Sequence, residues 1–182
     1  MQETTLFQVT TLGGGCFWCL ESMFNRLKGV QKAVSGYTGG ELHQPSYEEV
    51  CKGNSGHVEV VQISFNPEII SYKQLLKVFF TMHDPTQLNR QGNDIGEQYR
   101  SVIFYHNEMQ KNISNEIIKE LEDSKIYAES IKTTVEPINN FYEAETYHQD
   151  YFNQNKNTNS YCSIVVAPKV EKFEKIFLED LK

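Results

Sequence analysis

Leu6-Phe7-Gln8-Val9-Thr10-Thr11-Leu12, then Gly13-Gly14-Gly15, then Cys16-Phe17-Trp18-Cys19-Leu20-Glu21-Ser22-Met23-Phe24 reads as strand, glycine turn and helix. Consecutive glycines let the backbone reverse sharply and come close to a ligand. The apolar residues Leu20, Met23, Phe24 and Leu27 recur at helical spacing, and Gly29 suits a C-terminal cap. A thiol at the start of that helix lies among unpaired N–H groups and the positive end of the dipole, which favour thiolate. Cys16 is therefore the candidate nucleophile, with Phe17 and the chain's only tryptophan, Trp18, beside it.

Outward from this unit, strands and helices interleave. A strand over Val30–Tyr37 runs into Gly39-Gly40, and Val58–Phe65 alternates as a strand that stops at Asn66-Pro67. Ser71 caps a helix carrying Leu75, Phe79 and Met82. Asp84–Arg100 reads as a long loop, and long ordered loops in compact domains often carry function. Ser101–His106 and Ile131–Ile138 read as strands. Between them Met109, Ile113, Ile117 and Leu121 stripe a helix, and a C-terminal helix after Pro168 carries Val170, Phe173, Phe177 and Leu181. The connections are too mixed for a doubly wound parallel sheet. They predict an α+β fold with helices packed on a mixed, largely antiparallel sheet, and an irregular C-terminal segment.

A chain of 182 residues suits a single domain, here 1–182. Acids outnumber bases, 24 to 17, for a net charge of −7. That balance argues against nucleic acid or an anionic membrane as the main partner, and otherwise serves solubility. No apolar run approaches the ~18 residues of a membrane span, and Met1–Thr5 lacks a signal-peptide pattern. A cytoplasmic monomer is expected. Four cysteines are too few for a disulfide scaffold and in a reducing compartment suggest catalysis, metal binding or burial.

In Gly56-His57-Val58-Glu59-Val60-Val61-Gln62-Ile63-Ser64-Phe65, alternation places Glu59 on the face of Val61, Ile63 and Phe65. A buried carboxyl stays protonated and can donate a proton or a hydrogen bond. The alternative is a strand that begins after Glu59 and leaves the acid solvated. Tyr47 precedes this strand, and Tyr99 ends the polar stretch Gly92-Asn93-Asp94-Ile95-Gly96-Glu97-Gln98-Tyr99. Each tyrosine alone could equally be a packing residue.

Together, Gly15-Cys16-Phe17-Trp18, Tyr47…Val50-Cys51…Gly56-His57…Glu59, and His83-Asp84-Pro85-Thr86 with Gly92-Asn93-Asp94…Gly96…Gln98-Tyr99-Arg100-Ser101 resemble the signature blocks of type A peptide methionine sulfoxide reductases. The blocks are spaced over about residues 6–170 and stand in the family's order. The resemblance implies a two-layer, ferredoxin-like α+β sandwich. It implies that Cys16 attacks the sulfur of the S epimer of methionine sulfoxide, releasing methionine and leaving a sulfenic acid. Glu59, Tyr47 and Tyr99 would hold the sulfoxide oxygen, Phe17 and Trp18 the methyl group, and Asp94 would support the site. No metal and no organic cofactor is implied, and thioredoxin or another dithiol would be the reductant.

A sulfenic acid condenses with a nearby thiol. Cys162 follows the Asn-rich stretch 153–160, expected as a mobile segment (153–162) able to carry a thiol to Cys16, and Tyr161-Cys162 resembles the pair that carries the recycling thiol in many relatives. Cys19 is the second candidate, since its spacing from Cys16 is that of a dithiol redox motif. Cys51 is expected as a packing residue. Many relatives carry a further cysteine beyond the first C-terminal one, and none follows Cys162. Two other chemistries are open. A thioredoxin-like disulfide oxidoreductase using Cys16 and Cys19 would leave Glu59, Tyr47 and Tyr99 without work. A zinc site would need paired short-spaced ligands, and Cys51 and Cys162 are isolated. A module that merely reads oxidised methionine would not need an activated thiol.

Overall fold

The computed structural model describes residues 6–182. The reading of Met1–Thr5 lies outside them. Fourteen regular elements follow the chain: β1 Gln8–Gly13, α1 Phe17–Asn25, β2 Val30–Thr38, α2 Tyr47–Cys51, β3 Val58–Phe65, α3 Tyr72–Met82, β4 Arg90–Gln91, β5 Asp94–Ile95, β6 Val102–Tyr105, α4 Glu108–Ser124, β7 Thr134–Pro137, β8 Tyr142–Glu143, α5 Tyr151–Asn155 and α6 Ala167–Ile176. The main sheet has the order β7-β6-β1-β3-β2-β8. Every neighbouring pair is antiparallel except β6 and β7, which are parallel. The expected mixed, largely antiparallel sheet is thus present. Its centre, β1-α1-β2-β3-α3-β6 with β3 inserted between β1 and β2, is the split βαβ arrangement of ferredoxin-like folds.

The main core joins α1, α3 and one sheet face through Leu12, Phe17, Leu20, Phe24, Val61, Ile63, Phe65, Leu75 and Phe79, with Phe173 of α6 added. The other face is a smaller cluster of Val58, Val60, Val102 and Phe104, against which Ile138 and Phe141 pack. Ser71 starts α3 with a reciprocal capping box to Gln74, and Ser46 starts α2 with another to Glu49.

Several expectations change. Helix α1 ends at Asn25, so Leu27 lies beyond it and bridges to Leu181, and Gly29 serves the turn into β2 at φ +88°. On α4 the buried positions are Gln110 and Ser114, while Met109 is exposed. The reason is that this helix face meets polar groups. Gln110 accepts from His106 N and donates to the Val9 carbonyl, and Ser114 bonds the Tyr72 hydroxyl. The 84–100 loop holds the β4–β5 hairpin and a 3₁₀ turn over Glu97–Tyr99. Helix α6 starts at Ala167, and Leu181 falls outside it. Among the described residues no helix is long and apolar enough to cross a membrane.

Candidate active site

The β1–α1 turn places Cys16 at the N-cap of α1, with extended backbone. Its shape depends on glycine. A Cβ on Gly14 would lie 2.9 Å from Phe79 Cε1, and Gly15 has φ +95° with the Gln91 side chain 2.8 Å from where a Cβ would be. His83 and Gln91 brace this turn from behind. His83 bonds the Phe79 carbonyl and Ser101 Oγ, and burial holds it neutral with a pKa pushed down to about 4. Gln91 both accepts from and donates to the backbone of Asp84. The His83-Asp84 and Gln91 portion of the loop is therefore the turn's support.

Strand β3 begins at Val58, and Glu59 is 1% exposed. The solvated alternative for this acid is thereby removed. Glu59 Oε1 accepts from Phe17 N at 3.2 Å, so the carboxyl lies under the first turn of α1. Tyr99 is brought over it by ties between the 3₁₀ turn and the start of β3. Glu97 accepts from Gly56 N at 2.8 Å, and Arg100 donates to the Gly56 carbonyl at 3.1 Å. His57 is clamped between Gly40 N and the Leu42 carbonyl.

A cavity of about 270 Å³ is lined by Cys16, Phe17, Trp18, Tyr47, Glu59, Asp94, Tyr99, Asn159 and Tyr161. Every residue expected to attack, to hold oxygen or to hold methyl lines this one space. A larger cavity of about 990 Å³ lies between α3, α4 and α6 and contains none of them. Among the described residues no group of three or more His, Cys, Asp or Glu side chains is arranged to hold a metal ion.

A family profile described as "Peptide methionine sulfoxide reductase" matches residues 8–181. The chain belongs to this family. It is 51% identical over 175 residues to peptide methionine sulfoxide reductase MsrA of Saccharolobus solfataricus, covering 96% of this chain and 97% of that one. The crystal structure of Mxr1 from Saccharomyces cerevisiae in reduced form matches with TM-score 0.77 and 36% identity, over 85% of this chain and 88% of that one. The same yeast protein in complex with Trx2 matches with TM-score 0.56 and 28% identity, over 83% and 88% of the two chains.

The protonation state of this peptide methionine sulfoxide reductase site is set first by burial. It drives Glu59 well above the carboxylate range, helped by the nearby charges of Cys16 and Asp94 and opposed by the Phe17 N–H. Burial, then Glu59, also push Tyr47 and Tyr99 upward. All three remain donors at neutral pH. The thiol differs from expectation. Cys16 is 7% exposed, and burial followed by a hydrogen bond with Cys19 pushes it well up, so the helix start does not make it a resting thiolate. The same contact lowers Cys19.

Cys162 is fully buried at the start of a π-helical turn, Cys162–Val166, and burial, then Cys16, raise it. The 153–162 segment expected to be mobile is folded in this state. Asn155 donates to the Tyr151 carbonyl, and Asn159 Oδ1 accepts from Tyr161 N. Cys51, expected to be packing, is exposed. All four cysteines are unpaired. The sequence does not mark Tyr161 and Asn159 as pocket lining, nor His148 as the support behind it. The Tyr161 hydroxyl donates to Asp94 Oδ2, and Trp18 Nε1 donates to His148 Nδ1 at 3.0 Å. Trp18 also stacks on Tyr151 at 3.9 Å and 8°. Between β8 and α5 the chain forms only a short 3₁₀ turn, with no periodicity to mark the His148 contacts.

Proposed function

We propose that the protein reduces the S epimer of methionine sulfoxide, free or in proteins, and is returned to its dithiol state by thioredoxin. The observation that carries this is the enclosure of one thiol, one neutral carboxylic acid and two phenols around a cavity walled by Phe17 and Trp18. A sulfoxide sulfur becomes electrophilic as its oxygen gains proton character, so donors aimed at that oxygen act most strongly in the transition state. Glu59, Tyr47 and Tyr99 are such donors. Phe17 and Trp18 offer aromatic faces to the S-methyl group. Cys16 attacks sulfur, the oxygen passes to Cys16 as a sulfenic acid, and methionine leaves. Asp94 fixes Tyr161, and with it one wall.

An internal thiol then attacks the sulfenic sulfur, forming a disulfide and releasing water. Cys162 is supported by its resemblance to the family's recycling position. A specific contact supports Cys19 for the first step. Cys19 lies one helical turn from Cys16, with its N–H on the Cys16 carbonyl at 3.2 Å, whereas Cys162 must leave a buried π turn. The complex of yeast Mxr1 with Trx2 supports thioredoxin as reductant. A cytoplasmic setting and action as a monomer belong to the same proposal.

The test is one equivalent of methionine sulfoxide given to the reduced protein, followed by mass spectrometry. One methionine per chain and one disulfide involving Cys16 are expected, with neither in Cys16→Ser. Methionine formation by Cys16→Ser would end the reading. Cycling with thioredoxin that survives Cys162→Ser and is lost in Cys19→Ser assigns resolution to Cys19, and the reverse assigns it to Cys162.

A further inference from the structure

His148 has no part in the chemistry above and does not line the cavity, yet it packs behind three residues that do, Phe17, Trp18 and Tyr47. It ends a 3₁₀ turn over Thr146–His148 and is 1% exposed. Its ring centroid lies 4.4 Å from that of Tyr47, 5.2 Å from Phe17 and 4.1 Å from Tyr147. Its Nδ1 accepts the Trp18 indole N–H at 3.0 Å. An indole nitrogen only donates, so Nδ1 carries no proton and the neutral ring is the Nε2–H tautomer. That Nε2 is buried without a hydrogen-bond partner, with Glu145 Oε2 3.6 Å away. Glu145 already receives the hydroxyls of Tyr37 and Tyr147.

We propose that His148 is a positioning residue for sulfoxide binding: its Nε2–H tautomer holds Trp18 and Tyr47 in the pocket wall, and a second proton, on Nδ1, releases Trp18. The substrate in this statement rests on the reductase reading, whereas the geometry does not. Protonated Nδ1 would face the indole N–H donor to donor, and Trp18 could turn away only by leaving its stack on Tyr151. The groups that bear on the second proton come from four elements. Glu145 and Tyr147 belong to its own turn, Glu48 and Tyr47 to α2, Phe17 and Trp18 to α1, and Tyr151 to α5. Glu145 and Glu48 favour the proton and burial opposes it more strongly, so the imidazole titrates below its usual 6.5. The wall is therefore closed at neutral pH and opens in acid.

Trp18 is the only tryptophan, so its emission reports this contact directly. The wild-type protein is titrated from pH 8 to pH 4.5 by fluorescence, beside His148→Asn, whose amide oxygen can replace Nδ1 but does not titrate. A transition with its midpoint below 6.5 is expected in the wild type and none in His148→Asn. KM for methionine sulfoxide should rise with the same midpoint in the wild type and stay flat in the variant. His148→Phe, which keeps a ring but no acceptor, should raise KM about tenfold at pH 7.5, the cost of one lost hydrogen bond. Its single-turnover rate at saturating sulfoxide should change by less than about threefold, because the reacting groups are untouched. A missing transition, one that persists in His148→Asn, or an unchanged KM in His148→Phe overturns the proposal. Imidazole ¹⁵N spectra of the wild type test the tautomer without any variant, and a proton on Nδ1 of His148 at neutral pH overturns it as well. If Trp18 titrates as stated in a protein that reduces no sulfoxide, the reductase reading fails and the role of His148 in the wall stands.

Discussion

Replacing Glu59 by glutamine separates proton transfer from mere hydrogen bonding. The side chain is fully enclosed, and one of its oxygens is pinned by the Phe17 N–H at 3.2 Å. Glutamine can satisfy that donor only through its carbonyl, which puts the amide NH₂ where the carboxylic hydroxyl was. The variant therefore still donates a hydrogen bond to a sulfoxide oxygen but has no proton to give. If donation alone mattered, the loss would be at most about tenfold, the worth of one altered hydrogen bond. If the proton moves in the transition state, the loss is about 10²–10⁴, or about 2.7–5.4 kcal/mol of barrier. The larger loss is expected. Rapid-quench single turnover at pH 6.5 reads the step without interference from recycling. Urea midpoints should agree to about 1 kcal/mol, because the swap replaces a neutral buried acid with its isostere. A rate loss under threefold in a folded variant would make Glu59 a spectator and refute the reasoning.

Tyr47→Phe and Tyr99→Phe each remove one donor to the oxygen while keeping the ring. Each should slow single turnover about tenfold and the pair about a hundredfold or more, and a double variant no slower than either single one would mean that only one phenol reaches the substrate. Gly15→Ala forces a Cβ against Gln91 at φ +95°, so it should cost about 1–3 kcal/mol in urea unfolding and displace the Cys16 thiol, seen as slowed turnover; wild-type stability would contradict the strained turn. Glu21 is buried between Asp150 N and Ser35 Oγ, and burial raises its pKa to about 7. Its folded state therefore binds the proton more tightly than the unfolded chain, and the stability this gives is complete below pH 4.5 and lost as pH rises through 7. Stability should fall by about 2–3 kcal/mol across that window and do so less in Glu21→Gln, and parallel pH profiles for the two proteins would remove the assignment.

The strands and glycine turn were legible in the sequence because their signals are local. Val61–Phe65 alternates, Ser71 and Gln74 form a capping box, and three glycines before a cysteine leave few alternatives. Glu59 was ambiguous because alternation gives a face but not where the strand begins. What decides its burial is α1 lying over it, and that is a contact 42 residues away in the chain. The lining contributed by Tyr161 and the support from His148 were illegible for the same reason in stronger form. Their segments have no periodicity, and their partners, Asp94 and Trp18, lie 67 and 130 residues away. The thiol was misread because a helix start was weighed without the desolvation around it. At an N-cap only 7% exposed, burial outweighs the dipole.

That reversal bears on how the proposed reaction moves its proton. Thiol plus sulfoxide gives sulfenic acid plus thioether, so one oxygen changes hands and no proton is gained or lost overall. A resting thiolate would leave Glu59 ionised in its buried place once its proton had passed to the oxygen. A buried thiol beside a buried neutral acid carries the full complement. Glu59 can give its proton to the sulfoxide oxygen and recover one from Cys16, while the cavity's net charge stays constant. In a space that penalises every charge, a step that creates none has the lower barrier. The same burial that raises Cys16 also keeps Glu59, Tyr47 and Tyr99 protonated, and in the proposed reaction the pull of all three on the oxygen would open the sulfur to a thiol that has not yet ionised.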